Sequence, residues 1–583
     1  MRNIFRSAAP ALVVFVLVAA GCRSPQPSPA SAAASHDAAF TSVAHEFLDD
    51  LYRRQPTQAT YLGIHKYDDQ LENYSRAAVT EAVAAARAFR DRVSAIDPAS
   101  LKPDNQLDQV QLLHAIDSRL LTLDLVRPWA RDADVYSSGL TNTAYIMIKR
   151  EFAPAPERLR RLIAREKGMP AALSDARQNL DNPPRIYTQI AIDQLDGNRE
   201  FFQKAVPAAF AAVTDKDLLA EFKATNDAVV AALADYKTWL QNDLLKRSNG
   251  DFAFGEDTYR KKLSADEMID VPLDTLLATA EGDLKKNQAA FAAAAKLIDP
   301  RRTPAQVLAE IEKDHPPAAR LLSTTQAELD SIGRFMTDHH IVSVPKASPA
   351  RVQETPPFLR ATTTASMDIP GPFETVADEA YYNMTLPDPK WSAKETDEFM
   401  REWYYALITN VSVHEVWPGH YLQFLYARHF PSDVRKVFGA SSNSEGWAHY
   451  CEQMVIDEGF HAGDPKFRLA ELQDALLRDA RFIVGIRMHT RGMTMPQAEE
   501  FFVKEAYQPA PTARAETKRG TSDATYGYYT MGKLMILKLR EDYKAKAGDQ
   551  YSLQRFHDAF IGLGPLPLPL IRKAMLGDAG QLF

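Results

Sequence analysis

The sequence predicts a mainly α-helical protein with a small β-sheet just before the helix that carries its chemistry. Two observations support this. Most of the chain is rich in Ala, Leu, Lys and Glu, with apolar residues recurring at three and four positions, as in 77–96 and 273–298. Only over 341–386 does that period lapse, and two short β-type runs stand there.

The chain begins with a targeting segment. Arg2 and Arg6 precede an apolar run over 9–20 that contains Pro10. A membrane-spanning helix needs about 20 apolar residues, so this shorter run reads as the apolar region of an export signal. It ends in Val18-Ala19-Ala20-Gly21-Cys22. Small residues before a cysteine resemble a bacterial lipobox, with Ala19 where leucine is usual. The expectation is cleavage before Cys22, a lipid on its thiol and anchoring to a membrane. Arg23, rather than an aspartate, follows the cysteine, which points to the periplasmic face of the outer membrane. Residues 1–22 are thus read as a lipoprotein signal peptide and 23–38 as a flexible tether, Pro-, Ser- and Ala-rich at its start. Residues 39–583 remain for one helical domain.

That domain can bury a core, since 45% of the chain is hydrophobic and 25% charged. The net charge of -8, without a basic stripe, argues against nucleic acid as a partner. No obligate protein partner is evident either. With Cys22 lipidated, Cys451 is a lone thiol, and no disulfide framework is expected.

Pro98, Pro128, Pro183, Pro300 and Pro316 punctuate the helical segments. The β-type runs are 341–344 and 380–385. The second contains Tyr382, and its strand is expected to offer an edge to an extended peptide. Helical patterning returns near Ser392 and continues to the end.

The informative segment is Val413-His414-Glu415-Val416-Trp417-Pro418-Gly419-His420. Neutral imidazoles are good zinc ligands, and a Glu beside the first can deprotonate a zinc-activated water. The familiar spacing, H-E-x-x-H, puts both histidines on one helical face. Here they are six residues apart, roughly 120° around an ideal helix. Pro418 removes a helical N–H and Gly419 tolerates unusual dihedrals, so an interruption could turn His420 back towards His414. Residue type alone leaves the segment open between a metal site and a buried, hydrogen-bonded histidine pair.

Catalytic zinc usually has three protein ligands and one open position. Glu445, His449 and Glu452 share one face of a second helical segment, and each could be a ligand, a supporting group or part of a solvated face. Glu445 is preferred, because His-His-Glu is a common catalytic set.

At these residues the chain resembles the bacterial domain-of-unknown-function family 885, whose members carry H-E-x-x-P-G-H followed by E-G-W-A. Here these are His414 to His420 and Glu445 to Ala448. The stretch 56–71 resembles the family's N-terminal signature, and 516–540, with K-R-G-T and Y-Y-T-M-G-K-L, its C-terminal one. The family is thought to be related to helical zinc peptidases such as neurolysin and angiotensin-converting enzyme. The resemblance implies a large helical, zincin-like fold with a deep cleft. It also implies Zn²⁺ on His414, His420 and Glu445, with Glu415 as general base. Helical peptidases of this kind use a late tyrosine to stabilise the oxyanion. Tyr529 is preferred for that role, with Tyr528 and Tyr526 as rivals. Arg519 is open between a substrate carboxylate and a structural ion pair. Tyr528 and Tyr382 complete the expected substrate contacts. His65, with Asp68 and Asp69, reads as a capped turn, and His489 as structural.

The expected function is hydrolysis of short peptides in the periplasm, by a zinc-bound water that Glu415 activates. Two rivals are a peptide-binding lipoprotein with a non-catalytic metal site, and a non-haem iron oxygenase built on the same two-His, one-carboxylate set.

Overall fold

Alanine is the best helix former and proline at a first helical position has its φ already set. The computed structural model shows the consequence: helix α1 (Pro29–Arg54) starts inside the segment expected to be a tether, where alanine outnumbers the breakers. The structure describes residues 29–346, 349–355, 364–430, 432–578 and 580–583. The leader and Cys22 lie outside these residues. No described helix is long and apolar enough to cross a membrane.

Helix α2 (Pro56–Leu62) is followed by a tie between distant parts of the chain. The His65 ring pairs with Asp68 through Nδ1 at 2.9 Å and with Glu374 through Nε2 at 3.0 Å. It stacks on Phe152, ring centroids 4.1 Å apart. Burial alone would lower the His65 pKa, but the two carboxylates outweigh it and raise it from 6.5 to about 9. Burial would likewise raise Glu374, but His65 and the backbone N–H groups of Val376 and Ala377 bring it from 4.5 down to about 2. The sign follows by linkage. The histidine contribution is complete below its unfolded pKa of 6.5 and is lost as pH rises through about 9. The glutamate contribution is complete above 4.5 and is lost as pH falls through about 2. The Tm difference between wild type and His65→Ala is therefore expected to peak near about pH 5.5 and shrink towards about pH 9.5. A difference that grows with pH would contradict the pairing.

One hydrophobic core is built from residues 133–244, with Ala377 added, around Tyr136, Phe202, Phe210 and Tyr236. A larger one surrounds the helices that carry the site. In it α3 (Leu273–Ile298) packs along a long helix of the C-terminal half.

The sheet comprises β1 (Arg351–Glu354), β2 (Ala365–Asp368) and β3 (Tyr381–Met384), in the order β1-β3-β2. β3 runs parallel to β1, with Val352 opposite Tyr382, and antiparallel to β2, with Met367 opposite Tyr382. Two expectations are corrected here. First, 341–344 is no strand of this sheet. Its backbone bonds outside the sheet: His557 Nδ1–H donates to Ile341 O at 2.7 Å, and Ser343 N–H donates to Asp558 at 2.8 Å. Second, the strand carrying Tyr382 is the central one. Both its edges are paired and Tyr382 has no exposed surface, so it cannot receive a peptide. Tyr382 and Met384 pack with Ile408, Val416 and Tyr421, which sets the sheet against the site's helices.

Those helices are α4 (Tyr405–Glu415), α5 (His420–Ala427), α6 (Ser441–Asp457), α7 (Pro465–Thr490), α8 (Ala510–Ser522) and α9 (Tyr528–Ala547). α7 is the partner of α3, and α6 packs on α9. The free thiol of Cys451 is buried in α6.

Candidate metal centre

The helix that begins the H-E-x-x-P-G-H segment stops at Glu415, and a new one starts at His420. Pro418 cannot donate the bond that would continue the first helix. The Trp417–Pro418 peptide bond is cis. Gly419 closes the turn: its N–H donates to Val413 O at 3.1 Å, and an added Cβ would lie 1.9 Å from His414 O. This turn brings the two histidine rings to 4.7 Å, centroid to centroid, at 85°. A six-residue spacing thus does what four residues do on an unbroken helix.

Glu445 comes from α6. Its Oε2 lies 3.4 Å from His414 Nε2 and 3.3 Å from His420 Nε2. Ligand atoms of His414, His420 and Glu445 all fall within 4.8 Å of one another. Donors about 2.0–2.2 Å from a tetrahedral ion stand roughly 3.3–3.5 Å apart, so the carboxylate already keeps the separation zinc would impose. Glu445 Oε2 is buried and makes no hydrogen bond. An acceptor facing two imidazole nitrogens requires a proton or a cation between them. Burial would raise Glu445, but the two histidines hold it well below the usual carboxylate range. The donor set fits a divalent ion of the zinc type.

Glu452, two turns along α6 from Glu445, orients the ring of His414. It accepts from His414 Nδ1–H at 2.6 Å, which leaves Nε2 as the ring atom that faces Glu445 across a proton or a cation. Arg478 at 2.9 and 3.0 Å and Asn410 at 3.1 Å also donate to Glu452. His449 stands outside the donor group and is a supporting residue: it is fully buried and its Nδ1 lies 3.3 Å from Glu452. Burial would lower the His414 pKa, but Glu445 and Glu452 raise it to about 10, so the pocket favours positive charge at this ring.

Close helix contact explains the remaining motifs. α6 and α9 cross where Gly446 meets Gly532: a Cβ on Gly446 would lie 2.5 Å from Gly532 Cα, and one on Gly532 would lie 2.0 Å from Ser442 O. The indole N–H of Trp447 donates to Pro418 O at 2.8 Å, tying E-G-W-A to the turn between the histidines. The crossing sets the start of α9 beside His414. The Tyr529 ring stands 6.3 Å from that of His414, under the guanidinium groups of Arg478, Arg481 and Arg519 at 5.1–5.8 Å.

Arg519 donates to Tyr529 Oη at 3.4 Å and to Tyr528 Oη at 3.1 Å, while pairing with Asp523 at 3.1 Å. Both sequence readings of Arg519 thus have a counterpart: it is ion-paired, and it reaches the candidate tyrosines. Tyr528 also donates to Asp523. Tyr526 is fully buried below them. Glu415 ends α4, and Met367 N–H of β2 donates to its Oε2 at 3.2 Å. His489 bonds to Gly520 O at 2.7 Å and serves packing.

Sequence reasoning missed Arg478, Asn410 and Met367. The first two carried a signal. Arg478 interrupts an apolar stretch of α7, where a buried charge needs a partner. Asn410 stands one helical turn before His414. Met367 acts through its backbone and carried none.

A family model described as "Bacterial protein of unknown function (DUF885)" matches residues 56–575. Among solved structures, a protein from Shewanella oneidensis described as a lipoprotein of unknown function is similar: TM-score 0.79, 26% identity, covering 92% of this chain and 99% of that one. Another, described as a lipoprotein from Colwellia psychrerythraea, has TM-score 0.78 and 16% identity, covering 94% and 99%, a likeness of fold. No curated protein matches. The chain belongs to the DUF885 family of bacterial proteins.

Proposed function

We propose that the protein is a zinc-dependent peptidase that cleaves short peptides in the periplasm, anchored by a lipid on Cys22 to the outer membrane. One observation carries the reading. Among the described residues the donor set has three members, His414, His420 and Glu445, and Glu415 adjoins the first. Structural zinc sites close with four protein ligands, whereas catalytic ones keep a position open. A purely binding site gains nothing from a base there.

Zinc, when bound, would polarise the scissile carbonyl and acidify a water. Glu415 accepts that proton and returns it to the leaving amine. The Met367 N–H holds its Oε2 in place. Tyr529 donates its hydroxyl proton towards the developing oxyanion, and Arg519 donates to the phenolic oxygen of Tyr529, leaving the O–H for substrate. β2, an edge strand beside Glu415, takes the peptide-aligning place first expected of the Tyr382 strand.

The test uses protein truncated after Cys22, loaded with zinc and incubated with a peptide mixture whose products are read by mass spectrometry. Cleavage that stops with a chelator and returns with zinc supports the proposal. Intact peptides with folded, zinc-loaded protein would sink it, and oxygen-dependent turnover with iron would replace it by an oxygenase. Tyr529→Phe is expected to lower kcat about 10²- to 10³-fold with little change in KM. An unchanged kcat would remove this hydroxyl from the reaction.

A further inference from the structure

Beside Glu445 lies a cavity of about 580 Å³, in the size range of ligand sites. Glu445 lies on its wall. So does α5, the helix that begins with His420: Phe424, one turn on, has its ring 6.1 Å from that of His420, and Ala427 follows on the same wall. Leu62, Phe430, Phe438 and Ile561 add apolar surface.

Four polar side chains of the lining are already engaged. Arg435 is buried and bonds to Asp108 at 2.6 Å. Asn443 donates to Leu566 O at 2.8 Å, and Gln423 donates to Asn443 Oδ1 at 3.3 Å. Lys436 pairs with Asp433 at 3.4 Å and lies over the Phe373 ring. A charged or strongly polar group entering here would lose water and find few partners. An apolar group would gain by leaving water.

We infer that this cavity is the specificity pocket of the enzyme proposed above and takes a large apolar side chain, Leu or Phe, from the residue adjoining the scissile bond. The inference rests on the peptidase reading. Geometry links the two, because the same two helices hold metal ligands and pocket wall. A side chain seated against Phe424 and Ala427 places its own backbone beside His420 and Glu445.

The experiment compares otherwise identical tetrapeptides with Phe, Leu, Ala or Asp at each position. The wild type is expected to favour Phe and Leu over Ala by about ten- to a hundredfold in kcat/KM at one position, and to reject Asp. Ala427→Trp fills the pocket and is expected to collapse that ratio towards one. Phe424→Ala, which removes a wall without adding bulk, is expected to lower it, and serves if the Trp variant fails to fold. Equal rates for Phe and Ala peptides, or a ratio that survives Ala427→Trp, would overturn the inference. Calorimetry with the Phe and Ala tetrapeptides on Glu415→Gln protein separates the two claims. Tighter Phe binding that Ala427→Trp abolishes supports the pocket even if nothing is hydrolysed, which would instead defeat the peptidase reading. Equal binding of the two peptides overturns the pocket whatever the turnover.

Discussion

Glu415→Gln is expected to keep a full complement of zinc and to lose about 10³- to 10⁴-fold in kcat, the range that a positioned general base supplies. The two halves of this expectation have separate causes. Zinc is expected to stay because the candidate donor atoms belong to His414, His420 and Glu445. The fold is retained because the amide is isosteric and its carbonyl oxygen can still accept from Met367 N–H, as the carboxylate does. Turnover is lost because an amide cannot take a proton at neutral pH. The readouts are zinc per chain by atomic absorption, the far-ultraviolet circular dichroism spectrum, and kcat on whichever peptide the wild type cleaves best. Full zinc with activity within about tenfold of wild type would take Glu415 out of the reaction. Loss of zinc would mean that the carboxylate supports the metal, and that the donor set is larger than three.

How much of this was legible beforehand depended on whether a feature is local. His414, Glu415 and His420 lie on one short segment, and Pro418 and Gly419 announce the break that lets them converge. Glu445 could be preferred among three carboxylate and imidazole candidates because ligand chemistry is local as well. Helical content followed from composition, and the sheet from the lapse of the helical period. The misses need a partner to be seen. β1 and β2 are four residues each, too short to display alternation, and are strands only because β3 lies between them. The segment 341–344 has β-type composition, but Ile341 O and Ser343 N–H are taken by His557 and Asp558, more than two hundred residues away in sequence. The crossing at Gly446 and Gly532 needs two helices 86 positions apart to be superposed, which no single window contains. α1 extends into the tether because alanine content outweighed the punctuation on which the boundary rested.

Gly419→Ala, the addition of one methyl group, is expected to lower zinc affinity at least about 100-fold. The new Cβ would stand 1.9 Å from His414 O, 2.4 Å from Val413 O and 2.6 Å from His414 C. These are backbone atoms at the end of α4, so no side chain can swing away. The turn itself must open, and opening it moves His420 relative to His414. Inserting one methyl into a packed site costs about 1–3 kcal/mol when neighbours can yield. Here the strain falls on the element that sets the ligand spacing, and metal sites tolerate only about 0.2 Å of displacement. The loss should therefore appear mainly in metal binding, measured by competition with a chelating dye, and less in global stability. Gly197→Ala is the matched control. That glycine is exposed within a helix, with nothing within 4 Å of an added Cβ. There the same methyl should stabilise by about 0.5–1 kcal/mol and leave zinc affinity unchanged. If both variants bind zinc like the wild type, the turn is not what holds the histidines together. If Gly419→Ala alone loses it, the proline-glycine insertion is the device that turns a six-residue spacing into a metal site.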